Sequence, residues 1–340
     1  MIMAMKRVAL WFVLVGACSG EDGGARTPEL LAETPDQITS VAVGDAVYLS
    51  TSDQTIWTAP KKPGTVTMLV ANEPGSQLAI AGDYLYWANS FSSVTGGNRH
   101  ELTRVPLGGG SPQVVVADAE ARSFVVDGNT VYFTSRAQTT PETAISIYSV
   151  PASGGTPAVL TTGGLIELVG DVAVDADRIY SSTNMTFNSL LLSFSKDGSD
   201  GVALTGDTAG LGGIGYMAVH GDKLYFLAST GGGSYSEILE VVAKSGGEVV
   251  EYYQNTGVAD TYCGSMQGFA IDDNYIYIAC RARTKSLLRR VSVDGGAYST
   301  LAVFPDAANR DGSAFTPAIA VMDDSYVYVG LGTRLYRVKK

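Results

Sequence analysis

Few residues in this 340-residue chain could do covalent or metal chemistry: cysteines at 18, 263 and 280, and two histidines, His100 and His220. That supply excludes zinc centres and catalytic triads needing several of either. The acidic pairs Asp272-Asp273 and Asp323-Asp324 suggest calcium, but both fall at a repeated turn and lack the six or more converging oxygens calcium takes. They read as turn formers, and neither metal nor cofactor is expected. Arg281-Ala282-Arg283-Thr284-Lys285 is the one local basic cluster, suited to an acidic partner or to a solvated loop.

Cys18 has the clearest context. Lys6 and Arg7 precede the apolar run VALWFVLV (8–15), too short to span a bilayer as a mature helix and followed by small residues, which reads as a secretory signal. Val15-Gly16-Ala17-Cys18 is similar to the lipobox of bacterial lipoproteins, a resemblance that implies cleavage before Cys18 and its lipidation; the alternative is an ordinary signal peptide with an unrelated Cys. Met3 and Met5 are alternative starts. The expected layout is a signal peptide at 1–17, a lipidated N-terminus and short tether at 18–26, and one folded domain at 27–340. Cleavage leaves 21 basic against 34 acidic residues, so acyl chains rather than charge would hold the protein at a membrane. The same imbalance excludes nucleic acid as a favourable partner. Ser19 after the lipidated position resembles outer-membrane rather than inner-membrane sorting, if the source is Gram-negative. No transmembrane helix is expected in the mature protein.

The elements that must position these residues come from a pattern repeated seven times: two or three apolar residues, a tight turn, then an apolar-Tyr pair. The copies run Val41-Ala42-Val43 to Tyr48, Leu78-Ala79-Ile80 to Tyr86, Phe124-Val125-Val126 to Tyr132, and Val172-Ala173-Val174 to Tyr180. Met217-Ala218-Val219 to Tyr225, Phe269-Ala270-Ile271 to Tyr277, and Ile319-Ala320-Val321 to Tyr328 complete the set. The tyrosines recur about every 47 residues, a spacing shared by propeller blades and helical repeats.

Turn chemistry separates these. Gly44-Asp45, Gly82-Asp83, Gly128-Asn129 and Gly221-Asp222 have the order a type II′ hairpin prefers, and Ala176-Asp177, Asp273-Asn274 and Asp324-Ser325 keep a polar second position. A second hairpin follows in most units, with turns such as Gly108-Gly109-Gly110, Gly154-Gly155, Asp197-Gly198, Gly246-Gly247 and Gly295-Gly296. Four antiparallel strands per repeat, without helical periodicity, predict an all-β, seven-bladed β-propeller. Alanine in the middle of the first strand suits convergence on an axis, and the repeated tyrosine is expected to pack between blades.

The seventh unit ends after its third strand, TRLYRVKK (333–340). GGARTPELL (23–31) resembles the fourth-strand segment GGTPAVL (154–160), so residues 27–33 are expected to complete the last blade. This order places one set of short turns on one face and the long connections on the other. Those connections offer a binding face containing Phe91, Arg136, Tyr216, Tyr235, Tyr262, Arg281, Arg283 and Arg310, with His100 in one loop and His220 beside a turn on the opposite face. Pairing Phe269 with Tyr277 sets Cys280 opposite Met266, near enough to Cys263 for a disulfide if the incoming loop bends back.

Ala79-Ile80-Ala81-Gly82-Asp83-Tyr84-Leu85-Tyr86-Trp87-Ala88-Asn89 resembles the YWTD repeat of lipoprotein-receptor propellers, with Ala88 and Asn89 replacing Thr and Asp. Those propellers have six blades, and the chain looks closer to bacterial cell-envelope propeller lipoproteins. The reading is a monomeric, lipid-anchored binding or scaffolding propeller whose loop face meets a protein or glycan. Alternatives are an envelope lyase or hydrolase with a site at the channel mouth, or a purely structural surface protein. No Asp-box, histidine cluster or activated nucleophile pattern supports an enzyme.

Overall fold

Each repeat folds into the meander that its turn residues dictate. The computed structural model describes residues 24–73, 75–91, 99–117, 119, 121–136, 145–161, 168–183, 189–206, 211–230, 237–253, 265–282, 285–304 and 320–340. Among these, all regular structure is strand, arranged as seven four-stranded antiparallel sheets. The chain is a seven-bladed β-propeller.

The inner strands of blades 1 to 7 are Ile38–Val43, Gly75–Ala81, Ala121–Asp127, Leu168–Val174, Leu211–His220, Ser265–Ile271 and Val321–Met322. Each touches the inner strand of the next blade, and the last touches the first, so the ring is continuous. Seven apolar clusters fill the spaces between blades, one at each interface. The core is therefore a set of wedges, and each blade is stable only beside its neighbours.

Closure follows the expected route. Glu29–Glu33 pairs antiparallel with Arg334–Lys339 as the fourth strand of blade 7, with Leu31 and Ala32 buried. Just before it, Arg26 forms a parallel bridge to Ala302 on the outer strand of blade 6, donating its N–H to Leu301 O at 2.7 Å. The start of the propeller thus laces blade 6 to blade 7 before the first blade begins.

Gly82, Gly128 and Gly221 have φ of 54°, 55° and 60°, as type II′ turns require. Gly44 does not: Val43 pairs with Val47 across a three-residue loop, so blade 1 departs from the expected turn. The tyrosines face small residues, Ala42, Ala79, Ala173, Ala218 and Ala270, with Val125 in blade 3. In blade 7 the residue opposite Tyr328 is Val321 rather than Ala320, because two residues must remain for the turn.

The tyrosines do more than fill space. Asp175, Asp272 and Asp323, each just before a turn, accept hydrogen bonds from two turn amides and from Tyr180, Tyr277 and Tyr328 respectively. Each then pairs with a lysine that follows the third strand of the next blade: Lys244 at 2.7 Å, Lys340 at 3.0 Å and Lys61 at 2.9 Å. Asp127 and Lys196 make the equivalent pair at 2.5 Å. Where the hairpin lacks this Asp, the next blade lacks the Lys, and Tyr48, Tyr86 and Tyr225 donate instead to the carbonyls of Leu107, Ala152 and Val293. Burial alone would raise the Asp323 and Asp175 carboxyls, but hydrogen bonds from lysine, tyrosine and the turn amides hold them well below the usual range. The acidic pairs are turn formers and also blade-to-blade clasps.

Candidate functional site

Six inner strands carry a β-bulge close before the apolar triplet, ending directly before it in blades 2, 4, 5 and 6 and one residue earlier in blades 1 and 3. A bulge turns one residue out of the ladder and leaves a backbone N–H to be satisfied. In blades 1 to 4 the residue directly before the triplet is polar and reaches the next blade. Leu78 N–H donates to Ser40 Oγ at 3.1 Å, Phe124 N–H to Gln77 Oε1 at 3.4 Å, and Val172 N–H to Ser123 Oγ at 3.2 Å. Gln77 Nε2 returns a bond to Phe124 O at 3.1 Å. The Asp171 carboxylate accepts from the Tyr216 N–H and from the Ser123 hydroxyl.

Blade 5 ends this relay. Tyr216 has φ of 40°, and its ring packs edge-on against Phe269 at 5.0 Å, while blade 6 offers only Gly268 at the corresponding place. Between blades 2 and 5 the axis holds a cavity of about 340 Å³, with Gln77, Ser123, Asp171 and Tyr216 at one end and Ile80, Val126, Val174 and Val219 toward the turns. Among the described residues that line it, Asp171 alone is charged. Burial raises the Asp171 carboxyl against the opposing hydrogen bonds from Ser123 and Tyr216, and burial with the Asp171 charge raises the Tyr216 hydroxyl.

Tyr216 therefore lies in an inner strand lining the channel, not in an outward loop, because the inner strand of blade 5 starts at Leu211. Arg281, Phe91 and Arg136 end strands at the long-connection face; Arg281 is half-buried, and of Phe91 and Arg136 only the backbone is described. Tyr235, Tyr262, Arg283 and Arg310 lie outside the described residues, as do Cys18 and Cys263. His100 belongs to the strand Arg99–Pro106, opposite Ser90, rather than to a loop. Cys280 is opposite Met266 as expected, but Phe269 faces Ile278, since the bulge absorbs one residue. Cys280 is fully buried and disulfide-bonded. Among the described residues no group of three or more His, Cys, Asp or Glu could hold a metal, and no helix is long and apolar enough to cross a membrane.

Sequence reasoning missed the relay and Asp171. The signal was present as a polar residue directly before each triplet (Ser40, Gln77, Ser123, Asp171), but its meaning depends on the bulge.

The fold has many structural neighbours. They are β-propellers. Hydrazine synthase from Kuenenia stuttgartiensis is similar at a TM-score of 0.63 and 13% identity, over 94% of this chain and 98% of that one. YCF48 bound to D1 peptide gives 0.58 and 12%, over 94% and 96%. A nidogen/laminin complex gives 0.50 and 14%, over 72% and 84%. At these identities the likeness shows the fold alone. No protein-family model and no curated protein matches the sequence.

Proposed function

We propose that the protein is a lipid-anchored binding or scaffolding propeller of a bacterial cell envelope, with its long-connection face toward a protein or glycan partner. The observation that carries this is the difference between the faces. On one face the first-to-second turns are all two or three residues long and the third-to-fourth turns of the first six blades six or seven, and four blade-to-blade clasps tie this face together. On the other the strand ends are joined by segments of unequal length, from Gly332-Thr333 to 305–320. Uniform turns maintain a scaffold, and unequal connections on a rigid scaffold are where recognition evolves. A propeller of this form can hold a peptide, as YCF48 does.

The bridge from Arg26 to Ala302 supports a further part of the reading. The segment before the closing strand runs parallel to the outer strand of blade 6, arriving from the turn face. Cys18 precedes Arg26 by eight residues, a reach of about 28 Å at most. The turn face then lies toward the membrane and the long connections away from it.

Two experiments test this. Cys18→Ser should abolish acyl labelling and release the protein from membranes. Protease sites inserted at 109, on the turn face, and at 232, on the other, should be shielded and accessible respectively on intact outer-membrane vesicles. Equal shielding contradicts the orientation, and retention of Cys18→Ser in the membrane contradicts the anchor. For the partner, capture from solubilised envelopes should fall when Phe91 and Arg281 are replaced by alanine.

A further inference from the structure

We propose that the axial cavity is a binding site for a small organic cation, whose ammonium head pairs with Asp171 beside the Tyr216 ring. This inference is independent of the lipid anchor and of the loop-face partner.

The first argument is the inventory of unspent polar capacity. Both ends of the Gln77 amide are engaged by Phe124, and Ser123 accepts from Val172 while donating to Asp171. A ligand seeking several neutral hydrogen bonds would find few here. A carboxylate has about four acceptor sites, and Asp171 uses two on the Ser123 hydroxyl and the Tyr216 amide. What remains in the cavity is acceptor capacity on one acid, the Tyr216 phenol, and small apolar wall from residues such as Ala79, Val125, Ala173 and Ala218. Among the described residues no lysine or arginine lines the space to receive an anion.

The second argument is energetic. A carboxylate drawn out of water without a counter-charge is unfavourable, and burial raises the Asp171 carboxyl accordingly. An ammonium group supplies the missing charge, and an aromatic face nearby adds cation–π attraction. The cavity, about 340 Å³, lies in the range of small-ligand sites and suits a head group on a short aliphatic chain.

The third argument is access. The cavity extends to Ile80, Val126, Val174 and Val219, two residues short of the turns. On that face every blade but the third has an exposed aspartate in its hairpin loop: Asp45, Asp83, Asp177, Asp222, Asp273 and Asp324. These encircle the axis because the inner strands they follow form the ring. An acidic collar above an apolar throat concentrates cations and repels anions at low ionic strength.

The test is calorimetric titration of the propeller with n-butylammonium at pH 7.5, with n-butanol and butyrate as controls. An Ac-Gly-Lys-Gly-NH2 peptide distinguishes a free amine from a partner's lysine as the source of the head group. Butylammonium or the lysine peptide should bind, and the two controls should not. Asp171→Asn keeps an acceptor for the Tyr216 amide, so it should fold with an unchanged melting midpoint while losing at least tenfold in affinity. If that variant does not fold, Asp177→Asn with Asp222→Asn serves instead, and should weaken binding several-fold at 20 mM salt but little at 500 mM. Binding of butanol as tight as butylammonium, no binding of either cation, or binding unchanged in Asp171→Asn would overturn the proposal.

Discussion

Lys61 of the first blade sets its ammonium 2.9 Å from the Asp323 carboxylate of the last hairpin, across 262 residues of chain. The same clasp recurs at three other interfaces, always with the acid in one blade and the lysine in the next. Ring closure thus joins the first and last blades with the contact that neighbouring blades use elsewhere.

Replacing Asp323 by Asn should cost about 1–2 kcal/mol at neutral pH, since the lost contacts are charge-assisted and part-buried. The folded carboxyl lies below its ordinary value, so its contribution is complete above about pH 4 and fades as acid protonates it. The difference between wild type and variant in urea should therefore narrow between pH 7 and pH 2.5. A gap constant over that range would show that charge is not the cause. A cycle with Lys61→Met should give a coupling of about 1 kcal/mol.

Gly198 has φ of 85°, and a Cβ there would lie 2.1 Å from the Leu160 carbonyl oxygen in the outer strand of blade 3. Gly198→Ala should destabilise by about 2–4 kcal/mol, through strain and loss of blade contact together. Gly82, at φ of 54°, has open space around its missing side chain, so Gly82→Ala should cost about 1 kcal/mol. Equal losses in thermal melts would refute the close-approach argument.

Glu240 is 7% exposed, faces Glu251 across the ladder, and has no hydrogen-bond partner for Oε2 among the described residues. Burial, then the Glu251 charge, pushes its carboxyl up to about 7. A raised acid contributes full stability below its unfolded value near 4.5 and loses it as pH rises through 7. Glu240→Gln should therefore be nearly neutral at pH 4 and stabilise by about 2–3 kcal/mol at pH 8. Chemical denaturation at both pH values checks this, and a pH-independent effect would contradict it.

Cys280 is bonded and inaccessible. In a Cys18→Ser background, unreduced protein should release no thiol to Ellman's reagent on unfolding, and adding Cys263→Ala should release one. A free thiol in the unmutated protein would rule out Cys263 as the mate.

The architecture was legible because tight turns leave local marks: Gly-Asp pairs, a recurring tyrosine and a missing fourth strand each specify one step of the meander. Contacts between repeats were less legible. Asp175 and Lys244 are 69 residues apart, and each alone reads as ordinary turn or strand-end polarity. Their pairing appears only when blade n is set beside blade n+1. Tyr216 read as a loop residue because Gly212, Gly213 and Gly215 resemble a connection, whereas the strand extends through them and bulges after Gly215. Asp171 looked like one more acid, and only the axis shows it to be the one acid among the described residues lining the cavity.

Deleting residues 20–34 and comparing thermal midpoints tests closure most directly. Loss of the Glu29–Glu33 ladder, the buried Leu31 and Ala32 and the Arg26 bridge should lower stability by several kcal/mol, on the order of one strand pairing with its interface. The truncated protein should melt well below the intact one or fail to fold, and adding a peptide of residues 24–34 should raise its midpoint again. An unchanged midpoint would contradict closure by the N-terminal strand.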